Sequence, residues 1–225
     1  ICVNKNLTKE YLARAGVPVA EGAVFTEGTS EEEIIDYAKR INYPVVLKPT
    51  DGAGGKGVIA NITNEQALIE ALHYVRYKLK FSNVIIEKYF NGEDYRLFVI
   101  GNEVIGAVRR VPANVIGDGK SSVKELLKQK ALERDKNPAL HQRPISIDRE
   151  MREMLKQKGY SLDSIPAKGE TVMLKSKSNI SAGGDPIDAT NELPDEIKSY
   201  AISAVECIPG LHQAGVDILY NKEEN

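Results

Sequence analysis

Apolar residues recur at intervals of three and four positions in three stretches, which is the spacing of one face of an α-helix. These stripes comprise Ile34, Ile35, Ala38 and Ile41, then Leu68, Leu72, Val75 and Leu79, and finally Ile197, Tyr200, Ala201, Ala204 and Val205. Helix starts are marked by a hydroxyl residue followed three positions later by Glu or Gln, since both side chains can bind free amides of the first turn. This pattern predicts helix starts at Ser30-x-x-Glu33, Thr63-x-x-Gln66 and Ser122-x-x-Glu125.

Short runs of β-branched residues predict the strands. They lie at 45–47, 58–60, 84–86, 97–100, 104–108 and 216–219. Gly101-Asn102 separates two of these runs and predicts a tight hairpin. Because helices and strands alternate irregularly and several strands follow one another, the order favours an α+β fold over a doubly wound parallel sheet.

The segment 117–184 differs from the rest because it combines predicted helices near 122–134 and 149–158 with many prolines and glycines. We interpret it as a long excursion from the core, which the chain rejoins at the strand holding Asp217. Excursions of this length are usually functional or disordered.

Composition excludes several classes of protein. The formal net charge of −2 does not suggest a general nucleic-acid surface, and no apolar run approaches the length of a membrane span. The first residues lack a basic segment followed by an apolar stretch, and Cys2 and Cys207 have neither zinc nor disulfide spacing. We therefore expect a cytoplasmic protein with two free thiols and no membrane or nucleic-acid partner.

The most informative stretch is the glycine-rich loop at 48–58, in which four of the six residues from 52 to 57 are glycine. Such a backbone approaches a ligand closely, and its amides can cradle an anion beside the charge of Lys56. The spacing G-x-G-x-x-G is not the dinucleotide-binding version, because a strand rather than a helix follows it. It is not a Walker loop either, since Gly57 follows Lys56 where Ser or Thr is required. The loop predicts a hairpin tip that folds over phosphates; the alternative is a plain flexible hairpin.

The strand at 84–86 leads into a charged connector at 87–96. Backbone groups at the end of a buried strand can bind an adenine edge, and an acid a few residues later can accept hydrogen bonds from ribose hydroxyls. Taken alone, this stretch is only a solvated charged loop.

Together these stretches resemble the ATP-grasp superfamily, and a third stretch makes the resemblance specific. Residues 175–185, Lys-Ser-Lys-Ser-Asn-Ile-Ser-Ala-Gly-Gly-Asp, followed by Ile187-Asp188-Ala189-Thr190, are similar to the substrate loop of bacterial glutathione synthetases and cyanophycin synthetases. The stretches 110–119 and 159–166 resemble the same proteins, especially the ATP-grasp part of the fused glutamate–cysteine ligase/glutathione synthetase. The similarity covers nearly the whole chain and implies a fold of two α+β lobes clasping ATP between them.

The resemblance implies a role for each matching residue. Lys5 and Lys48 match the two ATP lysines, and Asp94 matches the ribose acid. The phosphate lid matches 52–57, and the expected contacts there are Gly52, Gly54, Gly55, Lys56 and Gly57. The adenine hinge matches Glu87, Lys88, Tyr89 and Phe90.

The remaining matches concern the reaction. Arg110 matches an arginine that holds the transferring phosphoryl group, and because neighbouring strand residues face opposite ways, we expect this of Arg110 and not of Arg109. Lys177 falls where some relatives place an arginine at the substrate, and Asn179 with Gly183-Gly184 matches the loop that closes over it. Asp217 matches the first ligand of Mg²⁺, with Mn²⁺ as an alternative ion.

The implied domain organisation is a lead-in helix at 1–15, a small lid subdomain at 16–88 and a large subdomain at 89–225. The family places a further metal-binding E-x-N pair after Asp217, and Glu223-Glu224-Asn225 fits it literally. Since 220–225 has the polar composition of a turn, we expect the chain to end before the true pair. We also expect the family's N-terminal domain, which normally precedes Asn4, to be missing, so that this chain can be inactive alone.

These features predict an ADP-forming carboxylate–amine ligase that acts through an acyl phosphate on small-molecule acids and amines. Glutathione synthesis is the first substrate hypothesis, and cyanophycin-type polymerisation or another dipeptide ligation is the next. Two other classes stay open, namely a nucleotide-binding module without turnover and a phosphotransferase using the same lid. The sequence does not fix the oligomeric state, although relatives in this family are commonly homo-oligomers.

Overall fold

The computed structural model describes residues 2, 5–51 and 55–223. The α-helices are α1 (Lys5–Arg14), α2 (Glu31–Arg40), α3 (Glu65–His73), α4 (Val123–Asp135), α5 (Arg149–Gln157) and α6 (Asp195–Glu206). The strands are β1 (Gly22–Phe25), β2 (Val45–Pro49), β3 (Ile59–Ile62), β4 (Val84–Lys88), β5 (Glu93–Ile100), β6 (Glu103–Val111), β7 (Asn114–Ile116), β8 (Thr171–Met173), β9 (Asp185–Asp188) and β10 (Gln213–Tyr220). A π-helical turn at Tyr74–Lys78 continues α3, and a 3₁₀ turn lies at Ile180–Ala182.

The chain divides into two compact units. The first comprises Ile1–Gly92, Val99–Val104 and Pro194–Val216, and the second comprises Glu93–Phe98, Ile105–Leu193 and Asp217–Asn225. None of the helices in the described part of the chain is long and apolar enough to cross a membrane.

In the first unit, an antiparallel sheet of order β1-β4-β2-β3 packs against α2 and α3. The predicted helical stripes supply the buried contacts, since Ile34 on α2 and Leu68 and Leu72 on α3 have no exposed surface. Val45, Leu47 and Ile86 complete this core from the central strands. The central position of β2 and β4 places Lys48 and Glu87 on a rigid sheet.

A second sheet has the order β10-β5-β6-β9, and its strands carry a group of charged residues. Asp94 and Arg96 belong to β5, Arg109 and Arg110 to β6, and Asp217 to β10. The predicted hairpin is present, because β5 and β6 are joined by a turn in which Gly101 has a φ of +58°.

The 117–184 excursion is a folded part of the second unit. Strands β7 and β8 pair with each other, and α4 and α5 pack on them. Their shared core comprises Ala113, Val115, Val123, Leu126, Leu127, Met151, Leu155, Val172 and Leu174. Gly117 fits tightly there, because an added Cβ would lie 2.2 Å from the carbonyl oxygen of Ala167. The segment is therefore not a loose connector.

Two of the three helix starts agree with the capping prediction. Ser30 accepts a hydrogen bond from the Glu33 amide, and Ser122 forms a complete capping box with Glu125. The start at Thr63 is wrong by one residue, since Asn64 is the cap and its side chain accepts from the Ala67 amide. Asn is an equally good cap, so the sequence offers two competing starts and the structure uses the second.

Candidate active site

A cluster of charges in the first unit forms around Glu87. Lys48 on β2 and Glu87 on the neighbouring β4 form an ion pair, and Lys9 on α1 lies 3.0 Å from the other oxygen of the same carboxylate. The Glu87 side chain is only 11% exposed. Burial by itself would raise the pKa of its carboxyl, but the charge of Lys48 and the hydrogen bonds from Lys48 and Lys9 outweigh burial and lower that pKa. We call Lys5, Lys9, Lys48 and Glu87 the lysine cluster.

Lys5 joins this cluster through the backbone of β2. Its ammonium group donates a 2.9 Å hydrogen bond to the carbonyl oxygen of Pro49, the residue after Lys48. Partial burial and the nearby charge of Lys48 lower the pKa of Lys5. A group whose charge is disfavoured in this way gains from an added anion, which is the property expected of a phosphate-binding lysine.

Of the glycine-rich loop at 48–58, the structure describes residues 48–51 and 55–58. Gly55 and Gly57 have φ values of +77° and +75°, a region that favours glycine. A Cβ on Gly57 would also lie 2.7 Å from Cγ of Pro49. The Lys56 ammonium group lies over the Phe81 ring, 5.9 Å from its centroid. Gly52 and Gly54, two of the expected phosphate contacts, lie outside the described residues.

The expected adenine hinge is partly engaged within the protein. The Lys88 amide donates to the carbonyl of Glu21, and the Tyr89 amide donates to that of Pro44. The Lys88 ammonium group binds the carbonyl oxygen of Asn42. Within 5–51 and 55–223, the Phe90 amide donates to no backbone carbonyl.

The second unit has a different cluster, formed by Asp94, Arg96, Arg110 and Asp217. Arg110 donates to Asp94 through two nitrogens and lies 3.2 Å from Asp217. Arg96 binds both oxygens of Asp217, at 2.7 and 2.8 Å. Arg109, the neighbour of Arg110, forms an ion pair with Glu93 instead. The two adjacent arginines thus have different partners, as strand alternation requires. We call these four residues the arginine cluster.

Ser178 connects the expected substrate loop to this cluster, because its hydroxyl donates to the second oxygen of Asp94. Lys177 is exposed, and Asn179 precedes the 3₁₀ turn. The turn ends at Gly183, whose φ is +101°. The carbonyl of Asn179 accepts hydrogen bonds from the amides of Ala182 and Gly184, which closes the loop on itself.

Asp217 is the predicted metal ligand, and its fit to Mg²⁺ depends on oxygen atoms from elsewhere. Among the described residues, no group of three or more His, Cys, Asp or Glu side chains could hold a metal ion. Mg²⁺ is, however, commonly bound by one or two carboxylates together with the phosphates of a nucleotide, so one Asp fits if ATP supplies the rest and Arg96 releases one of the two oxygens that it binds. Of the Glu223-Glu224-Asn225 motif, Glu224 and Asn225 lie outside the described residues.

Sequence reasoning missed four contributors: Lys9, Arg96, Ser178 and Glu87 as a counter-charge. Each contacts a residue far away along the chain, for example Lys9 with Glu87 and Arg96 with Asp217. The only available signal was their position, since Lys9 lies one helical turn after Lys5 and Arg96 lies two residues after Asp94 on one face of β5.

Comparison with known proteins finds relatives that agree with the ATP-grasp resemblance. A family model described as a RimK-like ATP-grasp domain matches residues 2–131. A cyanophycin synthetase from Nostoc sp. (strain PCC 7120 / SAG 25.82 / UTEX 2576) is 35% identical over 97% of this chain and 24% of its own length. The glutathione biosynthesis bifunctional protein GshAB from Pasteurella multocida (strain Pm70) is also 35% identical, over 97% of this chain and 29% of its own length. The chain thus spans about a quarter of the length of these curated relatives.

Solved structures agree. The crystal structure of a bifunctional glutathione synthetase from Pasteurella multocida matches all of this chain and 30% of its own, with a TM-score of 0.65 and 31% identity. The D-alanine–D-alanine ligase from Bacillus anthracis matches 99% of this chain and 54% of its own with a TM-score of 0.58, and at 17% identity it supports the fold alone. The predicted α+β ATP-grasp fold is confirmed, and the chain belongs to the RimK-like ATP-grasp domain family.

Proposed function

We propose that this protein is an ATP-dependent carboxylate–amine ligase that forms ADP, phosphate and an amide bond through an acyl phosphate. The strongest support comes from the lysine cluster. It places the ammonium groups of Lys9 and Lys48 on one buried carboxylate. Lys5 binds the carbonyl oxygen of Pro49, which lies on the same strand as Lys48 and leads into the glycine-rich loop. Such an excess of positive charge suits a polyphosphate.

In this proposal, the first unit binds the nucleotide. Lys48, Lys5 and Lys56 neutralise the phosphates, while Gly55 and Gly57 let the loop backbone approach them. The Phe90 amide binds the adenine edge. Asp94 accepts a hydrogen bond from the ribose, because a carboxylate offers about four lone-pair positions and the bonds from Arg110 and Ser178 leave one of them open.

The first chemical step transfers the γ-phosphoryl group. An oxygen of the substrate carboxylate forms a bond to the γ-phosphorus, the bond from that phosphorus to the β,γ-bridging oxygen breaks, and ADP leaves with the electron pair. This step brings negative charges together, so Arg110, which is only 16% exposed, would stabilise the transferring group. Asp217 would hold Mg²⁺, which supplies further charge neutralisation at the phosphates when it is bound.

In the second step, the amine forms a bond to the acyl carbon, the bond from that carbon to the phosphate oxygen breaks, and phosphate and a proton leave. The loop at Lys177 and Asn179 would close over the acid and the amine and exclude water, which otherwise hydrolyses the acyl phosphate. Amino acids or peptides are the proposed substrates. Glutathione-type ligation is the first hypothesis and cyanophycin-type elongation the second, because the relatives carry both names.

An ADP-release assay tests the proposal. The purified protein is given ATP and Mg²⁺ with a panel of amino acids and γ-glutamylcysteine, singly and in acid–amine pairs. We expect ADP release that requires both an acid and an amine. Nucleotide binding without turnover would instead indicate a binding module, and a stable phosphorylated product formed without an amine would indicate a phosphotransferase.

A further inference from the structure

Arg134 is a buried arginine outside the residues discussed so far. It lies near the end of α4, is 6% exposed, and directs its guanidinium group at the expected substrate loop. One nitrogen, Nη1, donates to the carbonyl oxygen of Gly184 and to a carboxylate oxygen of Asp185, both at 3.0 Å. The other, Nη2, donates to the carbonyl of Arg143 at 3.2 Å and lies 3.5 Å from that of Ile180. One side chain therefore links two points of this loop, Ile180 and Gly184–Asp185, to the connector between α4 and α5 that contains Arg143.

A second cation on α4 completes the arrangement. Lys130, one helical turn before Arg134, contacts the other carboxylate oxygen of Asp185 and donates to the carbonyl of Asn114 at 2.7 Å. The Asn114 side chain also donates to Asp185, at 3.1 Å. Asp185 thus has its negative charge offset by Lys130 and Arg134, so Arg134 is free to use its remaining hydrogen bonds on backbone carbonyls.

The loop held by Arg134 has no room for a side chain at its two glycines. A Cβ on Gly183 would lie 2.8 Å from Cγ1 of Ile145, on the connector that Arg134 also binds. A Cβ on Gly184 would lie 2.7 Å from the carbonyl oxygen of Ser178 and 2.9 Å from that of Val111. The guanidinium group of Arg134 contacts two carbonyl oxygens of this closely packed loop, those of Gly184 and Ile180.

Stability alone does not account for this residue. A buried charged group contributes little net stability, because desolvation offsets most of the attraction to its partners. The α4 helix is already anchored by Val123, Leu126 and Leu127 in the apolar core. A planar guanidinium with donors in fixed directions can bind carbonyls from several segments, which a lysine ammonium group cannot reproduce.

We infer that Arg134 is a positioning residue that holds the loop from Ser178 to Asp185 in the conformation that receives the acid and amine substrates. This inference rests on the proposed ligase function for its kinetic consequence, but its structural consequence can be measured without turnover. Arg134 acts through the backbone of the loop, which its guanidinium group contacts at Gly184 and Ile180.

The test uses Arg134→Lys, which keeps the charge and most of the volume. We expect the KM for the acid and amine to rise by roughly tenfold to hundredfold, since small misplacements of positioning groups have effects of that size. The affinity for a non-hydrolysable ATP analogue should be unchanged. Hydrogen exchange measured by mass spectrometry should become faster in peptides covering 178–185 and stay unchanged in the first unit.

Arg149→Lys is the matched control, because Arg149 lies on the next helix of the same unit and is 91% exposed. It should alter neither KM nor hydrogen exchange. Unchanged KM and unchanged loop exchange in Arg134→Lys would overturn the inference, as would faster exchange spread over the whole second unit. If the unmodified protein shows no turnover, the ligase proposal fails by itself, and the hydrogen-exchange comparison still decides whether Arg134 holds the loop. Should Arg134→Lys melt below the working temperature, Arg134→Gln is measured in the same way.

Discussion

The two charged clusters use similar numbers of ionised side chains and balance them differently. In the lysine cluster, Lys9 and Lys48 share the single carboxylate of Glu87, so two positive charges face one negative charge, and Lys5 lies beside them with its ammonium group on the carbonyl oxygen of Pro49. In the arginine cluster, Arg96 and Arg110 face Asp94 and Asp217, and two positive charges match two negative ones.

The difference suggests a division of labour. A cluster with excess positive charge gains when an anion arrives, so it suits the binding of nucleotide phosphates. A balanced cluster whose members share partners can reorganise around a transferring group without leaving an isolated charge buried, so it suits the chemical step. If this division is correct, changes in the lysine cluster should affect nucleotide affinity, and changes in the arginine cluster should affect turnover.

The largest effect is expected from Arg110→Lys. Loss of the two-pronged contact should lower kcat by roughly a hundredfold or more, as loss of a donor to a transition state commonly does. Nucleotide affinity should persist. Arg109→Lys is the control, because Arg109 pairs with Glu93 and not with Asp94. If steady-state kinetics show the same loss of kcat in Arg110→Lys and Arg109→Lys, the special role of Arg110 is contradicted.

A smaller effect, of a different kind, is expected from Lys48→Ala. Truncating a charged contact to a buried partner typically costs about 2–5 kcal/mol, so calorimetry should show ATP-analogue affinity reduced by on the order of a hundredfold, which abolishes binding at ordinary concentrations. Lys39→Ala provides the control, since Lys39 forms an exposed pair with Glu65 in the same unit. Unchanged nucleotide affinity in Lys48→Ala would count against the role of the lysine cluster.

Glu87→Gln should lower the free energy of unfolding by about 1–3 kcal/mol near neutral pH, because it removes the counter-charge of two lysines. Since the pKa of Glu87 lies below its ordinary value of 4.5, the stabilisation is present in full above pH 4.5 and is lost as pH falls below that value. Denaturant titrations of both proteins should therefore converge in acid. A difference that stays constant with pH would contradict the ionised pairing.

The smallest effect is expected from Ser178→Ala, which removes one hydrogen bond to Asp94. A single hydrogen bond to a charged group contributes about 1.5–3 kcal/mol at most, and a ribose hydroxyl or water can replace part of it. We expect a KM increase of severalfold for ATP or the acid. Ser176→Ala, which alters an exposed contact with Glu150, is the control and should have no effect on either KM.

Much of the fold could be predicted from the sequence. The six β-branched runs all became strands, and the helical stripes all became helices, because periodic burial leaves a signal in each stretch. Strands β1, β7, β8 and β9 were missed because three or four residues are too few to show a period. The shared core of the 117–184 segment was missed for the same reason, since it assembles from short pieces separated by turns.

The candidate site divides in a similar way. Residues inside continuous motifs, such as Lys48 and Arg110, could be proposed from the sequence together with its family resemblance. The contacts of Lys9, Arg96, Ser178 and Arg134 could not, because each depends on a partner that folding brings from a distant part of the chain.

The acyl phosphate itself can be tested most directly by isotope transfer. The acid substrate found in the ADP-release assay is labelled with ¹⁸O in its carboxylate, and the inorganic phosphate released with ADP is examined by mass spectrometry. Because the carboxylate oxygen bonds to the γ-phosphorus and later leaves with it, the account predicts ¹⁸O in the phosphate. Amide formation with unlabelled phosphate would contradict it.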